Sequence, residues 1–224
     1  YAEHGYGQEA LSCAKMMRND GFSPNHVTFL CILKACGSIR AIDKGREIHR
    51  EIIKEGVLLK DVLIGTALID MYVKCGMIQK AQEVFDELPS RNVVSWTALI
   101  TGYSQHGYGE EALNCFEQME SEGVSPDDVT FLCVLNACSH SGQLDEAQMH
   151  YESMYTKYHI TPKLEHHTCM VSVFGCVGNF DKAMAIIKVM PSSDDTAVWL
   201  ALLGACRKWG NMNLGRLAFD QVIQ

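Results

Sequence analysis

The spacing of apolar residues between Val93 and Asp127 predicts two short helices joined by a turn. Trp96, Leu99, Ile100 and Tyr103 fall on one side of a helix over Ser95–Ser104. The Gly107-Tyr108-Gly109 segment interrupts it. Ala112, Leu113, Phe116 and Met119 then line one face of a second helix over Glu110–Ser121, which Gly123 and Pro126 stop. Helices this short are not stable alone in water, so each must bury its apolar face on neighbours.

The same pairing recurs along the chain. Residues 1–36 laid on 103–138 agree at roughly 21 of 36 positions. The offset of 102 residues equals three units of about 34, a period typical of helical repeat arrays. The predicted units are 1–25, 26–61, 62–92, 93–127, 128–163, 164–195 and 196–224. Within 26–61, Val27, Phe29, Leu30, Ile32 and Leu33 mark a first helix that Gly37 ends, and a second spans Ile39–Lys54. Pro89 and Pro191 close the helical parts of units 62–92 and 164–195. Sustained two-residue alternation is absent, so strands are not expected. The predicted fold is all-α: an α-solenoid of six or seven stacked helix-turn-helix repeats. The chain opens on Tyr1 at the equivalent of mid-helix and stops at Gln224 in another helix, which predicts an internal piece of a longer array.

Composition narrows the chemistry. Hydrophobic residues make up 47% of the chain, enough for a continuous core, and no apolar run reaches the length of a membrane span. The ten cysteines contain no Cys-x-x-Cys pair. Cys31, Cys36, Cys75, Cys115, Cys133, Cys138 and Cys206 lie in apolar helical runs, where thiols serve as small buried hydrophobes. His166, His167, Cys169 and Cys176 come nearest to a ligand set, but adjacent helical side chains point about 100° apart and cannot share one metal with Cys169. No metal or cofactor is expected.

Particular segments carry a family resemblance. Val93-Val94-Ser95-Trp96-Thr97-Ala98-Leu99-Ile100 resembles the opening of a P-type pentatricopeptide repeat. Residues 62–76, Val62-Leu63-Ile64-Gly65-Thr66-Ala67-Leu68-Ile69-Asp70-Met71-Tyr72-Val73-Lys74-Cys75-Gly76, and the ending Ala81 to Asn92 are similar to the S type. Val129-Thr130-Phe131-Leu132-Cys133 and the residues following it resemble the L type. Val198-Trp199-Leu200-Ala201-Leu202-Leu203-Gly204-Ala205-Cys206-Arg207 resembles an E-type motif. The unit order P, L, S, P, L, S, E resembles the plant PLS series of organellar RNA-editing factors. The resemblance implies a right-handed solenoid.

It further implies that each unit reads one base of single-stranded RNA through its fifth and last residues. Those pairs are Thr66 with Asn92, Thr97 with Asp127, and Thr168 with Asp195. Thr–Asn implies adenine and Thr–Asp guanine, giving A-G-n-G. The L-type units carry Leu30 with Asp61 and Leu132 with Lys163. Leucine cannot hydrogen-bond a base, so these units space the RNA or contribute weakly. The first unit retains only Asn25. Val27, Leu63, Val94 and Val129 match the apolar second residues that sandwich bases, and Glu165 departs from that pattern. The same residue types also serve as helix caps and turn residues, so two uses compete at each position.

The net charge of −8 sets a question for a polyanion binder. Either the acidic residues sit on outer helices, or RNA binding needs further units. His49-Arg50-Glu51 is a lone His-x-Glu without the paired cysteines of zinc deaminases, and no phosphate-binding glycine loop occurs. The chain is therefore expected to be non-catalytic. The resemblance implies a deaminase, following in the same protein or supplied by a partner, along with other editing-complex proteins. It implies no membrane association and a location in mitochondria or chloroplasts. The alternatives are a helical protein-binding scaffold, or transcript stabilisation or processing without editing.

Overall fold

The structure is a computed structural model that describes residues 1–56, 61–190 and 196–223. Among these residues there is no strand, and the chain is an all-α helical repeat solenoid. After a short 3-10 turn at Ala2–His4, the helices are α1 (Gly7–Asn19), α2 (His26–Ser38), α3 (Ile42–Lys54), α4 (Val62–Lys74), α5 (Ile78–Asp86), α6 (Val93–Gln105), α7 (Gly109–Ser121), α8 (Asp128–Ser141), α9 (Leu144–Thr156), α10 (Leu164–Cys176), α11 (Phe180–Val189), α12 (Thr196–Trp209) and α13 (Met212–Val222). Pro191 and Asp195 lie outside the described residues.

Two compact units divide the chain, Tyr1–His106 and Gly107–Gln224. In the first, α2, α4 and α6 pack side by side, and α1, α3 and α5 lie against them. In the second, α8, α10 and α12 form the row, with α7, α9, α11 and α13 packed on it. This explains the residue patterns. A helix in the row has neighbours on several sides and is apolar almost all round: α4 buries Ile64, Leu68, Ile69, Met71 and Tyr72. A backing helix buries one stripe: α3 buries Gly45, Ile48 and Ile52 and is charged elsewhere.

Small residues set the spacing within each row. A Cβ on Gly102 in α6 would lie 2.5 Å from Val73 Cγ2 in α4, and one on Gly175 in α10 would lie 2.6 Å from Ala205 Cβ in α12. Gly37 belongs to this class and corrects the expectation that it ends its helix. It is buried inside α2, where α4 approaches: its Cβ would meet Met71 Cα at 3.4 Å. The helix runs on to Ser38, and Arg40 makes the left-handed turn with φ 54°. The second helix therefore starts at Ile42, not Ile39. Gly142 makes the matching turn after α8, with φ 72°.

Polar contacts join backing helix to row at matching places. His49 Nδ1 lies 2.8 Å from the Tyr72 hydroxyl, tying α3 to α4. Tyr151 and His167 Nδ1, 2.7 Å apart, tie α9 to α10 with the residue types exchanged. Burial holds both imidazoles below the usual histidine range.

Candidate nucleic-acid interface

The row helices keep one register, so each first helix presents its second and fifth residues alike. Val27, Leu63, Val94 and Val129 are the second residues of α2, α4, α6 and α8. They are 62%, 55%, 52% and 50% exposed. Glu165 holds the same position in α10 and is also exposed. In the first unit, Val27, Leu63 and Val94 are thus exposed aliphatic side chains repeated at one helical position, on which flat apolar groups can lie.

The fifth residues sit deeper. Leu30 and Thr66 are partly buried in the first unit, and Thr97 is 9% exposed. The Thr66 hydroxyl donates to the Val62 carbonyl at 2.9 Å, which leaves its oxygen only an acceptor's role. In the second unit Leu132 and Thr168 are partly buried. Thr168 Oγ1 is enclosed without a hydrogen-bond partner among the described residues. Its companion Asp195 lies outside them.

The last residues are N-caps of the following row helix. The Oδ1 atom of Asn25 accepts from Thr28 N–H at 2.9 Å, that of Asp61 from Leu63 N–H at 2.8 Å, that of Asn92 from Ser95 N–H at 3.0 Å, and that of Asp127 from Thr130 N–H at 2.8 Å. Because Asn92 Oδ1 must accept here, the network assigns its Nδ2 to the other side of the amide. Neither Asn92 Nδ2 nor Asp127 Oδ2 has a hydrogen-bond partner among the described residues. The same cap thus leaves a donor at Asn92 and an acceptor at Asp127.

Asp61 and Lys163 differ. Asp61 Oδ2 contacts His26 Nδ1, and Lys163 Nζ contacts Asp128 Oδ2. The Lys163 ammonium holds the Asp128 carboxyl below its usual range. His166, buried in α10, accepts from the Lys163 N–H on Nδ1 at 3.1 Å, and its Nε2 lies 2.8 Å from the Asp128 carbonyl oxygen. Sequence reading singled out none of His26, Asp128 and His166 as partners of the last residues. The available signal was the opposite charge at the two ends of units 26–61 and 128–163.

Charge is segregated between the layers. Among the described residues the row helices hold three acidic and four basic residues, and the other helices fifteen and ten. The row helices thus carry no negative balance, which is shared between the backing helices and the connecting segments, Asp61 and Asp127 among them.

His49 is engaged with Tyr72 and Glu51 with Arg18, at 2.7 Å. His166 and His167 point to different partners, and Cys169 Sγ lies 3.3 Å from Asn136 Oδ1. Among the described residues no group of three or more His, Cys, Asp or Glu could hold a metal ion, and no helix is long and apolar enough to cross a membrane. Cys31 corrects the expectation of a buried thiol: it is exposed, as are Cys13 and Cys176.

Comparison with known proteins follows the repeats. The PPR repeat matches residues 66–93, 129–157 and 165–194, the PPR repeat family matches 91–140, and the pentatricopeptide repeat domain matches 1–39. Together these cover more than half of the chain. A putative pentatricopeptide repeat-containing protein of Arabidopsis thaliana is 42% identical over 224 residues, 100% of this chain and 44% of the relative. A mitochondrial and a chloroplastic member from the same plant are 37% and 38% identical, each over 100% of this chain and over 32% and 26% of their own length. The chain thus spans less than half of these relatives. Among solved structures, the pentatricopeptide repeat protein PPR10 in complex with an 18-nt psaJ RNA element superposes with a TM-score of 0.84, at 17% identity, over 100% of this chain and 33% of that one.

Proposed function

Because the chain belongs to the plant pentatricopeptide-repeat family, we propose that it binds single-stranded RNA in a sequence-specific way, with A-G-n-G as the core of its site. The observation that carries this reading is the paired use of the cap residues. Asn92 and Asp127 spend Oδ1 on the helix and keep one further polar atom open. At Asn92 that atom is an N–H donor, matched to the ring-nitrogen acceptor of adenine. At Asp127 it is a carboxylate oxygen, matched to the ring and exocyclic N–H donors of guanine. Thr66, whose oxygen keeps only an acceptor's role, suits the adenine amino group. Thr168 with Asp195 extends the reading to the final G. The exposed Val27, Leu63, Val94 and Val129 provide apolar contact to the base faces, and the absence of net negative charge on the row helices supports the same reading.

The finer assignment rests on the resemblance of the unit order to the P, L, S series and of residues 198–207 to an E-type motif. On that reading the array positions a deaminase for cytidine-to-uridine editing of an organellar transcript. This chain supplies recognition, and its partner or a further part of the same protein supplies chemistry. PPR10 was solved with RNA, and relatives are mitochondrial or chloroplastic, which supports the RNA ligand and the organelle.

The test is equilibrium binding of the 224-residue chain to short single-stranded RNAs. Tighter binding of A-G-n-G than of G-A-n-G is expected. Equal binding of both would overturn the base assignment, and binding of neither would mean that recognition needs further units or that the repeats hold a protein.

A further inference from the structure

The two long hairpins differ from the shorter ones at the residue that opens their first helix. His26 opens α2 and reaches Asp61, the last residue of the same repeat and the cap of α4. Asp128 opens α8 and reaches Lys163, the last residue of its repeat and the N-terminal neighbour of α10. The acidic partner stands at the last residue in one repeat and at the first in the other, and the placement is kept. In both cases a first residue meets a last residue across the starts of two adjacent row helices. Val62 and Val93 hold the opening position in the hairpins closed by Asn92 and Asp127. A valine side chain offers no such contact.

Asp61 and Asp127 show the consequence most directly. Both are aspartates, and both cap a row helix through Oδ1. In Asp127 the second oxygen is open among the described residues; in Asp61 it is occupied by the His26 imidazole. In the other long hairpin the hold is double, because His166 ties the Lys163 backbone to the Asp128 carbonyl while the two side chains meet.

Taking the base-reading proposal as its ground, we infer that the first residue of each long hairpin is a specificity-determining residue: it occupies the base-facing group of the last residue and silences that hairpin in base selection. Exposed ion pairs add little stability, but silencing needs only that a base must displace a charge-assisted contact to reach Asp61 or Lys163. Leu30 and Leu132, with no polar atom, complete the silence. Releasing both devices in the first long hairpin should recreate the arrangement of the P-type unit, with Thr at the fifth position and an open aspartate at the last.

The experiment measures binding to four RNAs that differ only in the base immediately 5′ of A-G-n-G, and to matching RNAs with A-A-n-G in place of A-G-n-G for the control. The proteins are wild type, Leu30→Thr, His26→Val and the double variant, with Asp127→Asn as the control for base reading. The two single variants should discriminate at this base by less than about twofold, and the double variant should prefer G by about tenfold. If Leu30→Thr alone prefers G as strongly as the double variant, the latch is refuted. It is also refuted if the double variant stays indifferent while Asp127→Asn shifts its own position from G towards A. An Asp127→Asn variant that shifts nothing sinks the base-reading ground itself, and the latch with it. A readout without RNA separates the two failures: Asp128→Lys should lower Tm by about 1–2 °C, and adding Lys163→Asp should restore it. No recovery would mean that the contact does not form.

Discussion

Close packing of α4 on α6 sets the spacing of two successive row helices, and Gly102 sits where Val73 approaches. An alanine there would place its Cβ 2.5 Å from Val73 Cγ2 and 3.3 Å from Cγ1, against about 3.5–4.0 Å for an unstrained carbon contact. Val73 is 3% exposed and has little room to turn away. Overpacking of this kind costs about 1–3 kcal/mol. Alanine recovers about 1 kcal/mol of helix propensity over glycine, so Gly102→Ala should lose about 0–2 kcal/mol net. Val73→Ala removes two methyl groups, about 1.5 kcal/mol of transfer free energy at 0.8 per group, plus a cavity contribution that brings the loss to about 2 kcal/mol. In the double variant the new Cβ enters the space left by the valine. The clash and much of the cavity then vanish together. The double variant should be more stable than the sum of the singles by about 1–3 kcal/mol, the coupling expected of residues in contact. Thermal and denaturant unfolding of the four proteins, followed by circular dichroism, measures it. Additivity within about 0.5 kcal/mol would refute the close approach at Gly102.

Further outcomes follow from the caps, the histidines and the thiols. Asn92→Ala should cost about 1 kcal/mol by stripping the acceptor from Ser95 N–H, whereas Asn92→Asp keeps the acceptor and should be neutral or slightly stabilising at a helix N-terminus; equal losses in the two melts would contradict the cap. His49, His150 and His167 are held below the ordinary histidine value of 6.5 by burial. The unfolded chain therefore binds more protons, and stability present above about pH 7 should decline as pH falls through 6.5 towards 5. His49→Gln should flatten part of that slope in denaturant titrations, and an unchanged slope would count against the buried imidazole. Burial pushes the Cys36 thiol up to about 11 and those of Cys138 and Cys169 up to about 12. A disulfide reagent at neutral pH should modify Cys13, Cys31 and Cys176 rapidly and these three slowly; fast labelling of Cys138 in the native protein would contradict the packing of α8.

Much of this architecture is legible in the chain because short amphipathic helices announce themselves. The backing helix α3 carries a narrow apolar stripe among charges, and the turn glycines mark most hairpins. The row helices are harder to read. Being apolar nearly all round, they do not reveal which face stays open, and Cys31 was expected in the core although it faces solvent. Gly37 reads as a stop signal because glycine ends helices and also admits close neighbours; only the approach of Met71 decides between the two uses. The cap residues Asn92 and Asp127 carried two competing readings. The structure makes those readings compatible, since capping takes one atom and leaves another. The His26–Asp61 and Asp128–Lys163 contacts join residues 35 positions apart. Local periodicity cannot report them, because they depend on how adjacent row helices align at their starts.

The account stands most directly on a reciprocal exchange of the two caps, Asn92→Asp together with Asp127→Asn. Both caps survive the exchange, so fold and Tm should be nearly unchanged, while the open donor and the open acceptor trade places. Binding is then measured against A-G-n-G and G-A-n-G RNA. The account predicts that the wild-type chain prefers the first and the exchanged chain the second, with each preference about tenfold. An exchanged protein that folds normally and still prefers A-G-n-G would show that the cap residues do not select the base.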